Sequence, residues 1–276
     1  MPNEKLRTLF PSKESARIAA LPDDKFKEEA NDAINALSSG LRIHAQNLVD
    51  GIDTNLTLKP RRVVFIPTSH IPAVPAQDRR IKLEIGSILN EIGKPKSLIA
   101  NAESSNEIQT RSLIIENDRE VMRRAEELGV IDDQFSIGLQ RQRGLTFMGY
   151  ESAIVEYANT HRGTRAVGVD SFDGRIIGML VVIQATNGVT MPQEDYTKVS
   201  SYLCQEARTR LALNRACSYL QEGDDLIFVQ GADHHFGVEQ WCQRNEIPYE
   251  QAIPPAINKL ARDLKNPLSR IRLLIT

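Results

Sequence analysis

Two stretches, RRVVFIPTSH (Arg61–His70) and DDLIFVQGADHH (Asp224–His235), decide how this chain is read. Each is an unbroken apolar run, then a short turn, then a histidine. Continuous runs such as Val63–Ile66 and Asp225–Gln230, rather than alternating ones, mark strands covered on both faces. In sheets of that kind, polar side chains past the strand ends converge on one crevice. His70 stands four residues past Ile66, and His234 four past Gln230.

Working outward, Asp78–Gly93 carries Ile81, Ile85, Ile88, Leu89 and Ile92 on one helical stripe, stopped by Gly93 and Pro95. SLIANA (Ser97–Ala102) follows as a second strand, so the segment reads as a parallel strand–helix–strand crossover. The spacing predicts helices over 110–131 and 149–163. A third strand, TRAVGVD (Thr164–Asp170), ends in a carboxylate. RIIGMLVVIQATNG (Arg175–Gly188) reads as a strand, or a strand pair around Gly178. Asp195–Gly223 is expected to be the longest helix, capped by Asp195 and stopped by Gly223. A helix and a short strand complete the pattern up to Pro254–Pro255. The alternation gives an α/β fold with a mostly parallel central sheet flanked by helices. Residues 1–58 form a helical N-terminal extension, interrupted near Ser38–Gly40, and 59–276 the α/β domain.

Bulk properties narrow the function. The net charge of −2 leaves no basic excess for a nucleic-acid groove or an anionic membrane surface. No apolar run is long enough for a membrane span, and the first residues lack the apolar segment of a signal peptide. Three cysteines without CxxC spacing make no disulfide framework, so a cytoplasmic location is expected. The expected partner is a small-molecule or peptide substrate. A homodimer through the N-terminal helices is a further expectation.

Four polar residues are expected at one sheet edge: His70, Glu103, Asp170 and His234. Two imidazoles and a carboxylate can hold a divalent metal (Zn, Mn or Fe) with positions open to water. Without a metal, a histidine serves as general base and a carboxylate orients it. Residue types and spacing leave both open. His235 adjoins His234, and neighbouring side chains diverge, so one of the two is expected to point inward. His44 and His161 read as solvated or capping residues.

VVFIPTSH and LIFVQGADHHFG resemble the paired G-x-x-H motifs of the TIKI/TraB superfamily, which takes in ChaN-like and erythromycin-esterase-like proteins. GADH (Gly231–His234) is the closer copy; the first has Pro67 at the glycine position. The resemblance, over about residues 60–252, implies one α/β core and one site. It implies metal ligation by His70, Glu103 and His234, with Arg208, or next Arg210, as the site arginine ahead of the second motif; Arg208 would hold an anion there, or else be a helix-surface cation paired with Glu206 or solvent. It places Asp170, Gly231 and His235 beside the bound group. The implied activity is hydrolysis of peptide, ester or amide bonds. Haem binding is the alternative within the family. The C-terminal stretch also resembles nucleotide-binding modules of the SLOG group, in which a helix N-terminus after Gly231 holds phosphate.

Overall fold

The computed structural model describes residues 12–52, 56, 58–68, 75–92, 96–102, 105–107, 120–130, 149–187 and 191–257. His70, Glu103 and the stretch 131–148 lie outside the described residues.

Six strands form one sheet: β1 (Val63–Thr68), β2 (Ser97–Asn101), β3 (Ser105–Glu107), β4 (Thr164–Val169), β5 (Asp225–Gly231) and β6 (Tyr249–Gln251), in the order β3-β4-β2-β5-β1-β6. All neighbouring pairs are parallel except β3 with β4. The fold is α/β, as the strand–helix alternation predicts. Val63, Phe65, Leu98, Leu226 and Phe228 face one side, packed on Ala212, Leu213, Ala216 and Trp241. Ile66, Ile99, Ile227 and Val229 face the other, packed on Ile85, Leu89, Ile154 and Tyr157. Both faces being covered explains the unbroken apolar runs.

The two faces carry different helices. α1 (Lys13–Ala19), α2 (Asp23–Asn35) and α3 (Ser39–Asp50) are the N-terminal preface. α4 (Pro75–Ile92) and α5 (Gly149–Thr160) cover the Ile66 side. α6 (Phe172–Asn187) follows β4. α7 (Gln193–Lys198), a π-helical stretch (Val199–Ala207) and α8 (Arg208–Ser218) then run on as one long helix. α9 (His235–Arg244) packs beside α8 on the Phe65 side, through Val238, Trp241 and Cys242.

The preface buries its apolar stripe within the chain. Phe26, Ala30, Ile34, Leu41 and Leu48 pack on Ile176 and Ile177 of α6, Val199 and Leu203 of the π stretch, and Val121 of a helical segment at 120–127. The break between α2 and α3 falls at 36–38, slightly ahead of the Ser38–Gly40 interruption read from the sequence, because Ser39 and Gly40 open α3. Arg210, 1% exposed, fastens the preface to the long helix. Its guanidinium bonds Glu206 Oε1 at 2.6 Å and Asp23 Oδ1 at 2.5 Å, and donates to the carbonyls of Ile18, Ala19 and Leu21 at the end of α1. Phe26 lies 4.2 Å beneath it.

Three expectations are corrected. Arg175–Gly188 belongs largely to helix α6 rather than to a strand. Its β-branched residues suggest a strand, but the local capping is helical: Ser171 Oγ accepts Gly174 N–H at 2.8 Å. The long helix starts at Gln193 after Pro192, which leaves Asp195 inside the first turn, where its charge suits the helix dipole. His44 is buried rather than solvated. Its Nδ1 lies 2.6 Å from Asp173 Oδ1, and Arg124 Nε donates to its Nε2 at 3.4 Å. His161 is exposed and stacks on Tyr157 at 3.8 Å.

Pro67 is accommodated by the sheet's own geometry. Val63 N–H bonds Pro248 O, and Phe65 O accepts from Ala252 N, so alternate peptide groups of β1 face β6. The β6 pairing covers only Val63 to Phe65. Pro67 falls on that same side two residues beyond it, where a missing N–H breaks no ladder bond.

No helix among the described residues is long and apolar enough to cross a membrane.

Candidate functional site at the carboxyl edge of the sheet

The registers bring four strand ends to one level. Thr68 stands opposite Gly231, Asn101 opposite Val229, and Asn101 also opposite Gly168. β5 lies between β1 and β2. The helix after β5 lies on the Phe65 side, whereas α4, which follows β1, lies on the other. Connections leaving neighbouring strands toward opposite faces open a crevice at their carboxyl ends, a topological switch point. His234 sits there. It closes a single 3-10 turn (Ala232–His234) that joins β5 to α9.

His234 is 5% exposed. Its Nδ1 lies 2.7 Å from Thr209 Oγ1 and 3.1 Å from the Gln205 carbonyl oxygen. Thr209 Oγ1 is also 2.7 Å from that carbonyl and 3.3 Å from Gln230 Oε1. Gln205 lies near the end of the π stretch and Thr209 near the start of α8, so the junction of the two helical forms holds the ring. Stretches of π-helix recur at functional sites because the wider turn re-aims backbone and side-chain groups. Gln230, the inward residue at the end of β5, is fully buried. Its Nε2 has no hydrogen-bond partner among the described residues, and neither has Thr68 Oγ1 opposite Gly231. Buried polar atoms without partners are uncommon and concentrate where ligands or waters bind.

His235 is also buried, so both members of the histidine pair point inward. Its Nδ1 lies 2.9 Å from the Ala232 carbonyl and its ring 3.9 Å from Phe236. Gly231 ends β5 with φ −51° and ψ 145°, directly ahead of the turn.

Asp170 ends β4 and is 1% exposed. Arg208 grips it with two nitrogens, Nη2 to Oδ2 at 2.7 Å and Nε to Oδ1 at 3.3 Å. Ser171 N–H also donates to Oδ1, and Arg215 donates to the Asp170 carbonyl at 2.8 Å. The guanidinium lies against α6 at two glycines four residues apart. A Cβ on Gly174 would fall 2.8 Å from Arg208 Cγ, and one on Gly178 would fall 2.9 Å from Arg208 Nη1. Arg208 is therefore neither a surface cation nor the partner of Glu206, which pairs with Arg210. Its charge is met by Asp170, and it ties the end of β4 to the long helix.

A cleft with room for about one water reaches His234 from the surface, lined by Ser15, Ser201, Glu206, Asp233 and Gly237 among others. Glu206 Oε2 crosses it so closely that a Cβ on Gly237 would stand 2.7 Å away. Sequence reasoning missed Thr209, Gln205 and Gln230. The available signal was helical spacing: Thr209 is one turn beyond Gln205, ahead of the motif that ends in His234. Among the described residues no group of three His, Cys, Asp or Glu side chains converges as a metal site. His234 is the one expected ligand that the structure describes.

Compared with protein-family models, with curated proteins and with solved structures, the chain matches none.

Proposed function

We propose that the chain is a hydrolase of peptide, ester or amide bonds, working in the crevice at the carboxyl end of β5. The observation that carries this reading is His234 at the switch point, held by Nδ1 on Thr209 and Gln205. A histidine bonded to protein through one ring nitrogen presents the other to a metal or a proton. That fits the donor set the sequence suggests, with His70 two residues past Thr68 and Glu103 two past Asn101 as companion ligands. A bound divalent ion supplies a hydroxide nucleophile near neutral pH. The chain's own residues orient: Thr209 fixes the His234 ring, and the Arg208–Asp170 pair fixes the end of β4. Hydrolysis then adds water across the acyl bond, the hydroxyl to the acyl carbon and the proton to the leaving group. Three free cysteines suit a reducing, cytoplasmic setting.

The test is hydrolysis of p-nitrophenyl acetate and of casein by protein supplied in turn with Zn²⁺, Mn²⁺ and Fe²⁺. Turnover that falls at least ~100-fold in His234→Ala is expected, the scale of a lost acid–base or ligand group. Absence of turnover with every ion, or equal turnover in His234→Ala, overturns the reading.

A further inference from the structure

We infer that Thr209 is a positioning residue that fixes the tautomer of His234, keeping the proton on Nδ1 and the lone pair on Nε2. This rests on the hydrolase reading for its purpose, but its evidence is a count of protons. Around Thr209 Oγ1 stand two carbonyl-type acceptors, Gln205 O at 2.7 Å and Gln230 Oε1 at 3.3 Å, and the ring nitrogen at 2.7 Å. The hydroxyl has one proton to give. The same ring nitrogen also faces the Gln205 carbonyl at 3.1 Å.

Were Nδ1 unprotonated, its lone pair would point at the carbonyl lone pairs, and the hydroxyl would have to leave Gln205 to serve it. With the proton on Nδ1 both contacts of that nitrogen are satisfied. The ring donates to Thr209 and Gln205, while the hydroxyl donates to a carbonyl. The arrangement is buried, since Thr209 is fully covered and His234 nearly so. The bonds are therefore shielded from bulk solvent, and the wrong tautomer would leave a buried mismatch. Thr209 itself is pinned. Its methyl lies 3.0 Å from where a Cβ on Gly237 would stand, so α9 closes over it at a glycine.

This positions a catalytic nitrogen from a distance. Thr209 does not touch substrate; it decides which nitrogen of His234 does. The chain holds five histidines, so ¹⁵N-histidine labelling with two-bond ¹H–¹⁵N correlation gives a resolvable spectrum. His234→Gln identifies the His234 signals. The wild-type ring is expected to show a protonated Nδ1 and an unprotonated Nε2. Thr209→Val, which keeps the shape and removes the hydroxyl, is expected to move His234 toward the Nε2–H form. Thr209→Ser is expected to restore the wild-type pattern. An Nε2–H ring in the wild type overturns the inference without need of any variant. So does a Thr209→Val spectrum identical to wild type. The two readings separate cleanly. An Nδ1–H ring with no hydrolysis removes the hydrolase and leaves the role of Thr209 in setting the tautomer. Hydrolysis with an Nε2–H ring does the reverse.

Discussion

Arg208 and Asp170 meet in a two-pronged, almost fully buried ion pair, with contacts of 2.7 and 3.3 Å, between the long helix and the end of β4. The pair is costly to split because either charge alone would be stranded away from water. Asp170→Ala is predicted to lower folding stability by about 3–5 kcal/mol, the usual cost of orphaning one member of a buried pair. Arg208→Lys is predicted to recover little, since a single ammonium cannot reproduce the fork. Urea unfolding midpoints check both; a loss below about 1 kcal/mol in Asp170→Ala, the level of an exposed pair, would contradict the buried geometry.

Gly174 is predicted to be intolerant of alanine. The added Cβ would stand 2.8 Å from both Arg208 Cγ and the capping hydroxyl of Ser171, neither of which is free to swing away. Overpacking of this kind costs about 1–3 kcal/mol. Gly86 in α4 is the matched control, because nothing lies within 4 Å of its added Cβ. There alanine is predicted to stabilise by up to about 1 kcal/mol through helix propensity alone. Thermal unfolding of the two variants should move in opposite directions.

The strands of the parallel sheet were legible because both sheet faces are covered, whereas the short antiparallel edge strand β3 was not, since Ser105–Glu107 forms no apolar run. Runs such as Val63–Ile66 then carry no ambiguity of phase, and the carboxyl edge follows from their ends. What misled was local composition. Ile176, Ile177 and the residues after Gly178 have the β-branched look of a strand, and only Ser171 and the four-residue spacing of Gly174 and Gly178 point to a helix. The partner of Glu206 was legible by a simple rule. Residues two apart on a helix face different ways, whereas residues four apart meet. Arg210 satisfies that spacing and Arg208 does not. His44 was not legible, because its burial depends on Asp173 and Arg124, more than seventy residues away in the chain. Thr209 escaped for a similar reason. Its spacing of one helical turn from Gln205 is visible in the sequence, but the ring packed against it is not.

The three thiols are predicted to differ sharply. Burial pushes the Cys217 thiol up to about 12 and the Cys242 thiol higher still, whereas Cys204 is half-buried with its sulfur 3.8 Å from Arg208 Nη1. Reactivity follows the thiolate. Native protein at pH 8 should therefore modify one cysteine quickly with a chromogenic disulfide reagent, and all three once unfolded. Immediate reaction of all three in the native state would contradict the packing on the Phe65 side of the sheet.

The same burial sets an alkaline limit. An unfolded thiol ionises near its ordinary value, about 8.5, but folded Cys217 holds its proton to about 12. A raised folded value means the unfolded chain loses its proton first as pH rises. The contribution is intact below about pH 8.5 and is lost progressively toward pH 12. Denaturant midpoints recorded across that window should fall less steeply in Cys217→Ala than in wild type; parallel slopes would contradict the assignment.

In the proposed function His70 and His234 serve one crevice. A double-mutant cycle on hydrolysis of p-nitrophenyl acetate and casein tests it most directly. Groups that act as a unit are strongly non-additive. His70→Ala, His234→Ala and the double variant are all predicted to fall to the same residual rate. Independent, multiplying losses, or a wild-type rate in either single variant, would show that the two histidines do not share a site.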